Sequence, residues 1–407
     1  MLSQKTIDIV KSSVPVLAAK GTEITKHFYK RMFENNPELL NIFNHTHQEL
    51  SRQQTALANS LYEAARYIDQ LEVIVPAVKQ ICHKHVSLGV KKEHYSIVGE
   101  NLLAAMKEVL GDAATDEFIH AWAEAYWAIA KVFIEMEEEL YKKAENQPGG
   151  WRYFKPFVVT EKVKESSVIT SFYLKPKDGG PVPSYLPGQY ITVRVKVTGD
   201  TYLSNRQYSL SDAPGKGYFR ISVKREAEPN KPKGKVSNYL HDHLQVGDEI
   251  EISAPAGDFF LNVQDSTPVV LISGGVGITP MMSMLNTIAK ENAERSVAFI
   301  HAARNEEVHA FKKDVEELVE KLPNASKLFC YDQPIHLENA DITGHITKDV
   351  LKDYVKNEAD YYICGPAPFM KAMITNLTEL GIPSEKIHYE FFGPAIKFDQ
   401  INQTVTV

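Results

Sequence analysis

Arg206-Gln207-Tyr208-Ser209 sets a guanidinium, an aromatic face and a hydroxyl within four residues. On a strand edge such a set contacts a phosphate, a ring system and a polar ring edge together, which are the parts of a flavin nucleotide. Taken alone, it also describes ordinary strand packing with a surface charge. A second set is Gly274-Gly275-Val276-Gly277-Ile278-Thr279, followed by Pro280. Glycines let the backbone close on a phosphate, and a helix beginning there, with Pro280 in its first position, adds oriented N–H groups and positive potential. The spacing is not the strict G-x-G-x-x-G, and a lone glycine loop is as often a bare turn. The third set is His83, His85 and His94, which chemistry alone leaves as equal candidates for a metal ligand.

These residues need elements to hold them. The chain has 407 residues, 43% of them hydrophobic, too many for one ordinary core and suited to two or three domains. A formal charge of -7 argues against nucleic acid or an anionic membrane as the main partner, yet permits an anionic cofactor in a local basic pocket. The start of the chain, Met1-Leu2-Ser3-Gln4-Lys5-Thr6, has no signal-peptide core, and no apolar run reaches membrane-spanning length. Cys82, Cys330 and Cys364 lack metal-binding or framework spacing, so the expectation is a cytoplasmic protein with reduced thiols. Without Cys-x-x-Cys-His, any haem is held noncovalently. A monomer with no membrane anchor and no nucleic-acid partner is expected.

Residues 1–148 have helical periodicity, with breaks at Pro37, Pro76, Gly89 and Gly111, and predict an all-α bundle. Pro148-Gly149-Gly150 ends that region. Over 149–262 short alternating strands separated by Gly and Pro predict a small antiparallel β-barrel. Over 263–407 strands alternate with helices at 280–290, 306–322, 346–355 and 369–380, which predicts a parallel α/β sheet with ligands at the strand carboxyl ends.

The order of pieces is Leu186-Pro187-Gly188-Gln189-Tyr190, Arg206 to Ser209, Pro255-Ala256-Gly257-Asp258-Phe259, the glycine loop, Cys364-Gly365-Pro366 and Glu390-Phe391-Phe392-Gly393-Pro394. This succession resembles the ferredoxin-reductase-type FAD and NAD(P) module. With a globin-like segment ahead of it, the chain up to Pro394 resembles a flavohaemoglobin. The resemblance implies an all-α globin, an FAD-binding β-barrel and an α/β NAD(P) domain, carrying haem b, FAD and NAD(P)H.

It also implies roles. Within the helical segment, Phe43 lies against the porphyrin, His85 is the proximal iron ligand in preference to His83 or His94, and Tyr29 and Gln53 are distal polar groups. Tyr95 and Glu137 orient the axial imidazole, with Glu135 the fallback in the acidic run 135–139. A carboxylate on the other ring nitrogen raises histidine basicity, as peroxidases require and storage globins do not. Tyr190, Arg206, Gln207, Tyr208 and Ser209 contact FAD, with Gly188 giving the turn before Tyr190; residues 274–279 and Cys364 face the pyridine nucleotide, and residues 390–394 cover the flavin. Lys84 and Glu390 tune redox potential. Ile278 departs from the polar residue usual in the family, and the tail after Pro394 has no counterpart.

The implied activity is nitric oxide dioxygenase: NAD(P)H reduces FAD, FAD reduces haem, and O2 with NO yields nitrate. A hydroperoxide reductase using the same cofactors is the alternative, followed by an O2- or NO-binding sensor globin. The stretch after 297–302 offers Arg304 without a clear acidic rival, which leaves NADH against NADPH open.

Overall fold

The computed structural model describes residues 2–43, 52–227, 233–356 and 358–392. It divides into two compact units. One holds residues 1–146 with 151–154 and 194–206; the other holds the remainder.

The first unit is helical. Its helices are α1 (Gln4–Ser12), α2 (Val14–Asn35), α3 (Arg52–Arg66), α4 (Val75–Leu88), α5 (His94–Leu110) and α6 (Asp116–Glu145). The breaks fall where backbone chemistry puts them. Pro37 opens a 3-10 turn after α2, and Pro76 sits in the first turn of α4, where its missing N–H costs nothing. Gly89 closes α4 at φ 75° and Gly111 closes α5 at φ 55°, conformations open to glycine. Thr115 caps α6 by accepting from the Phe118 N–H. Acids in the first turn of α6 and lysines in its last oppose the helix dipole. Ile24, Phe28 and Met32 on α2 recur every four residues and meet Leu102 and Met106 of α5 and Trp122 of α6 in one core.

The second unit is built on two sheets. In the first, β1 (Phe154–Lys164), β2 (Ile169–Pro176), β3 (Tyr190–Val195), β4 (Ser204–Ser209), β5 (Phe219–Lys224) and β6 (Glu249–Ser253) run in the order β4-β3-β6-β1-β2-β5. An antiparallel bridge from Leu210 to Ile221 joins the two ends of that order, as a small barrel requires. A short helix, α7 (Lys235–Asp242), is not visible in the sequence periodicity.

The second sheet comprises β7 (Val269–Gly274), β8 (Val297–Ala303), β9 (Ala325–Tyr331), β10 (Ile342–Thr343), β11 (Asp360–Cys364) and β12 (Ile387–Glu390), ordered β10-β9-β8-β7-β11-β12. Every neighbouring pair is parallel. The strands are nearly continuous apolar runs because both faces are covered. One core holds Met281, Leu285 and Phe299, the other Ile272, Met370 and Leu377. Helices α8 (Ile278–Glu291), α9 (Lys312–Lys321), α10 (Lys348–Lys352) and α11 (Ala367–Glu379) connect the strands.

Three local expectations need correction. Pro280 is the third residue of α8, not the first. Its nitrogen is still in the turn without intrahelical acceptors, so the sequence is tolerated there. Helix α9 starts at Lys312 and not near 306, because Phe311 takes φ 61° and breaks the path. Helix α10 is confined to 348–352, started by Thr347 accepting from the Val350 N–H.

Candidate functional site

In the first unit α4, α5 and α6 bring three side chains together. His85 Nδ1 lies 2.7 Å from Glu137 Oε1, and the Tyr95 hydroxyl donates to the same oxygen at 2.5 Å. Tyr95 OH is 3.3 Å from His85 Nδ1. Glu137 is 3% exposed, so its charge is taken up inside the protein by these two donors. Burial and the neighbouring carboxylate push the Tyr95 phenol pKa far up, which keeps it a neutral donor.

The geometry separates the competitors. Glu135 is exposed and faces Lys131, while Glu138 chelates Arg152 through both oxygens. His94 Nδ1 accepts from the Lys91 N–H, and burial lowers its pKa. His83 is buried. His85 spends Nδ1 on Glu137, and among the described residues no hydrogen bond reaches Nε2. An imidazole so held, with one nitrogen fixed by a carboxylate, is the donor arrangement a haem iron takes.

Two supports of this triad were not visible in the sequence. The Tyr126 hydroxyl donates to the Tyr95 carbonyl at 2.5 Å, and a Cβ on Gly99 would come 2.5 Å from the Tyr126 ring. A glycine inside an otherwise good helix was the available signal. The Tyr141 hydroxyl donates to the Val90 carbonyl at 2.7 Å and pins the turn after α4.

Tyr29 is 9% exposed within an aromatic group, its ring 5.8 Å from both Phe33 and Phe43. Burial raises its pKa, and among the described residues no group hydrogen-bonds its hydroxyl. Gln53 lies half-buried near the start of α3 and Lys84 half-buried on α4.

In the second unit the barrel motifs meet around two glycines. A Cβ on Gly188, at φ 111°, would lie 2.5 Å from the Phe259 carbonyl oxygen. A Cβ on Gly257, at φ 117°, would lie 3.0 Å from the Tyr190 ring. Tyr190 is therefore packed against the 255–259 turn and only 5% exposed. On β4, Arg206 and Tyr208 share one face and are half-buried, Gln207 is exposed and Ser209 buried. Arg206 Nη1 donates to the Asn205 carbonyl at 2.7 Å.

The α/β sheet changes direction between β7 and β11, and ligands bind at such a switch point beyond the strand carboxyl ends. Both glycine turns lie there. A Cβ on Gly277 would fall 2.2 Å from the Cys364 carbonyl oxygen, and one on Gly274 3.0 Å from the Phe369 ring. Gly275 has φ 55°. Only glycines allow this approach, and it sets the α8 N-terminus at the switch point, where a helix start favours a phosphate. Ile278 is fully buried in the core and Thr279 donates to the Val276 carbonyl, so their side chains serve packing while their backbone joins the turn. Glu390 is 6% exposed and neighbours Cys364 across the sheet; Phe391 packs on the core and Phe392 is 47% exposed. Gly393, Pro394 and the tail beyond lie outside the described residues.

A buried cluster nearby was also unforeseen. His301 and His309 stack at 4.3 Å, Ser273 Oγ lies 2.8 Å from His301 Nδ1, and His309 Nδ1 lies 2.7 Å from the Tyr331 hydroxyl.

A helical unit with a carboxylate-backed histidine, joined to a barrel and a parallel sheet with a nucleotide-type switch point, defines an NAD(P)H-dependent haem oxidoreductase. The chain matches the globin family over residues 26–133, the oxidoreductase FAD-binding domain over 156–261 and the oxidoreductase NAD-binding domain over 271–375. The flavohemoprotein of Bacillus cereus (strain ATCC 10987) is 58% identical over 400 residues, covering 97% of this chain and 99% of that one. The flavohemoprotein of Bacillus subtilis (strain 168) is 52% identical, covering 98% and 100%. The flavohemoglobin structure from Malassezia yamatoensis, with bound FAD and heme, superposes with a TM-score of 0.84 at 28% identity, covering 96% of this chain and all of that one. The FAD/NAD binding domain of the Vibrio cholerae nitric oxide dioxygenase gives 0.55 at 40% identity, covering 59% of this chain and 99% of that one. This chain belongs to the flavohaemoprotein family, and haem, FAD and NAD(P)H are its cofactors. Among the described residues no helix is long and apolar enough to cross a membrane.

Proposed function

We propose that this chain is a nitric oxide dioxygenase, with domains at 1–148, 149–262 and 263–407. The observation that carries this reading is the buried His85–Glu137–Tyr95 triad. When bound, the haem supplies an iron that takes O2, and FAD converts the hydride of NAD(P)H into single electrons. His85 would hold the iron through Nε2. Glu137 fixes the Nδ1 proton and makes the imidazole a stronger donor, a device for chemistry rather than storage. Tyr95 holds the Glu137 carboxylate in place. Tyr29, its hydroxyl without a hydrogen-bond partner among the described residues, would serve developing negative charge on the distal side, with Gln53 and Phe43 completing that pocket.

Arg206, Gln207, Tyr208 and Ser209 would hold FAD, with Tyr190 bracing the turn beside it. Residues 274–279 and Cys364 would hold the pyridine nucleotide. Phe391 and Phe392 would cover the flavin, and Lys84 and Glu390 would tune the potentials. Relatedness to a chain named nitric oxide dioxygenase supports the substrate. The test is anaerobic reduction by NADH, followed by NO in air with nitrate as the readout and an alkyl hydroperoxide in parallel. Nitrate formation well ahead of hydroperoxide turnover is expected. Turnover of the hydroperoxide alone would refute the proposal.

A further inference from the structure

Glu137 grips the ring of His85, but the place of His85 also depends on the backbone that ends α4. The Gly89 and Val90 N–H groups donate to the Val86 and His85 carbonyls, at 3.2 and 3.0 Å. The turn carrying Val90 is thus bonded to the main chain of His85, and a shift of the turn is passed to the imidazole.

Tyr141 lies four residues beyond Glu137 on α6, so the two share a face. Its hydroxyl donates to the Val90 carbonyl at 2.7 Å, with the Val86 carbonyl at 3.4 Å. One face of α6 therefore holds His85 twice, by a ring nitrogen and by the backbone. The turn borders a cleft of about 310 Å³, which Val90, Glu137 and Tyr153 help to line. Packing does not hold a turn on its open side, so its position rests on Tyr141 and on what fixes Tyr141.

Residues 152–154, where the chain leaves the helical bundle, do that fixing. Arg152 donates to both oxygens of Glu138, at 2.8 and 2.9 Å, and to both of Glu145, at 2.8 and 3.0 Å. Two carboxylates in the fork of one guanidinium lock its plane, and they set it 5.1 Å from the centre of the Tyr141 ring. Tyr153 meets the same ring edge-on at 5.0 Å, and the Lys91 ammonium of the turn lies 5.2 Å from the Tyr153 ring. Phe154 packs on the helix end itself, where a Cβ on Gly89 would come 3.1 Å from its ring. Tyr153 has φ 65°, a backbone conformation that a bulky residue keeps only when its surroundings impose it.

We propose that Arg152 and Tyr153, acting through Tyr141, are positioning residues for the proximal ligand: residues 152–154 clamp the turn that sets His85. The inference rests on the reading of His85 as the iron ligand. The test uses the full-length holoprotein with ferrous haem and reads two quantities, the iron–histidine stretching band by resonance Raman and haem loss to an apoglobin scavenger. Tyr141→Phe removes one hydroxyl, and Arg152→Gln removes the fork. Each should broaden the band, move it to lower frequency and speed haem loss about three- to tenfold, the factor that one hydrogen bond carries. Thr115→Ala, which removes the cap at the other end of α6, is the control for stability alone. It should lower the melting temperature and leave band and haem loss where they were. An unchanged band and rate in either Tyr141→Phe or Arg152→Gln, or the same change in Thr115→Ala, overturns the clamp while His85 stands as the ligand. An iron–histidine band that persists in His85→Ala removes the ligand assignment and the inference with it.

Discussion

Replacing Glu137 by Gln keeps the shape of the proximal triad and removes its charge. Oε1 receives two donors, His85 Nδ1 at 2.7 Å and Tyr95 OH at 2.5 Å, at a position 3% exposed. A hydrogen bond to an ionised acceptor contributes about 1.5–3 kcal/mol against about 0.5–1.5 kcal/mol for a neutral pair. The substitution therefore removes about 1–2 kcal/mol of support for electron density on the imidazole. For a one-electron couple that corresponds to a rise of about 40–90 mV in the haem potential. Haem should also leave about tenfold faster, the lower end of what loss of such a ligand-orienting partner costs. Redox titration and haem transfer to an apoglobin scavenger measure both quantities. Tyr95→Phe, which removes a donor and keeps the charge, should move the potential much less. An unchanged potential and unchanged haem loss in Glu137→Gln would show that the carboxylate does not act through His85.

Further outcomes follow from the same geometry. Gly277→Ala drives a methyl toward the Cys364 carbonyl, 2.2 Å away, and should cost about 1–3 kcal/mol of stability together with most NADH binding, read by calorimetry and nucleotide titration. Tyr29→Phe keeps the ring packing against Phe33 and Phe43 and should leave the melting temperature within a few degrees, while O2 dissociates faster in flash photolysis. Burial lowers the His301 pKa from 6.5 to about 3, so the unfolded chain takes up a proton that the folded one refuses. Stability should therefore fall as pH drops from 6.5 toward 3, by about 1.4 kcal/mol per pH unit for this one group, and His301→Asn should flatten that slope in calorimetric melts.

The sequence exposed what depends on local chemistry. Pro37, Pro76, Gly89 and Gly111 mark helix ends because their backbone limits act without any partner. The parallel sheet was readable from alternating apolar runs and helices, and the glycine turns from their spacing. Contacts between distant segments were not. That Gly99 makes room for Tyr126, or that Glu306 spends its carboxylate on residues 335–339, depends on side chains brought together only by the fold. The choice of Glu137 over Glu135 rested on a family pattern, because four acids within five residues look alike until burial separates them. Periodicity extends a helix over 306–322 while α9 begins only at Lys312, because a positive φ at Phe311 leaves no trace in periodicity.

We propose that electrons pass from a pyridine nucleotide through flavin to a His85-ligated haem within one chain, and that NO is consumed there. Stopped-flow absorption of the holoprotein, mixed with NADH without oxygen and then with NO in aerated buffer, tests it directly. The prediction is flavin bleaching followed by conversion of the haem spectrum to the ferrous form, then one nitrate formed per NO consumed. Flavin that bleaches while the haem stays ferric, or NO that disappears without nitrate, would contradict it.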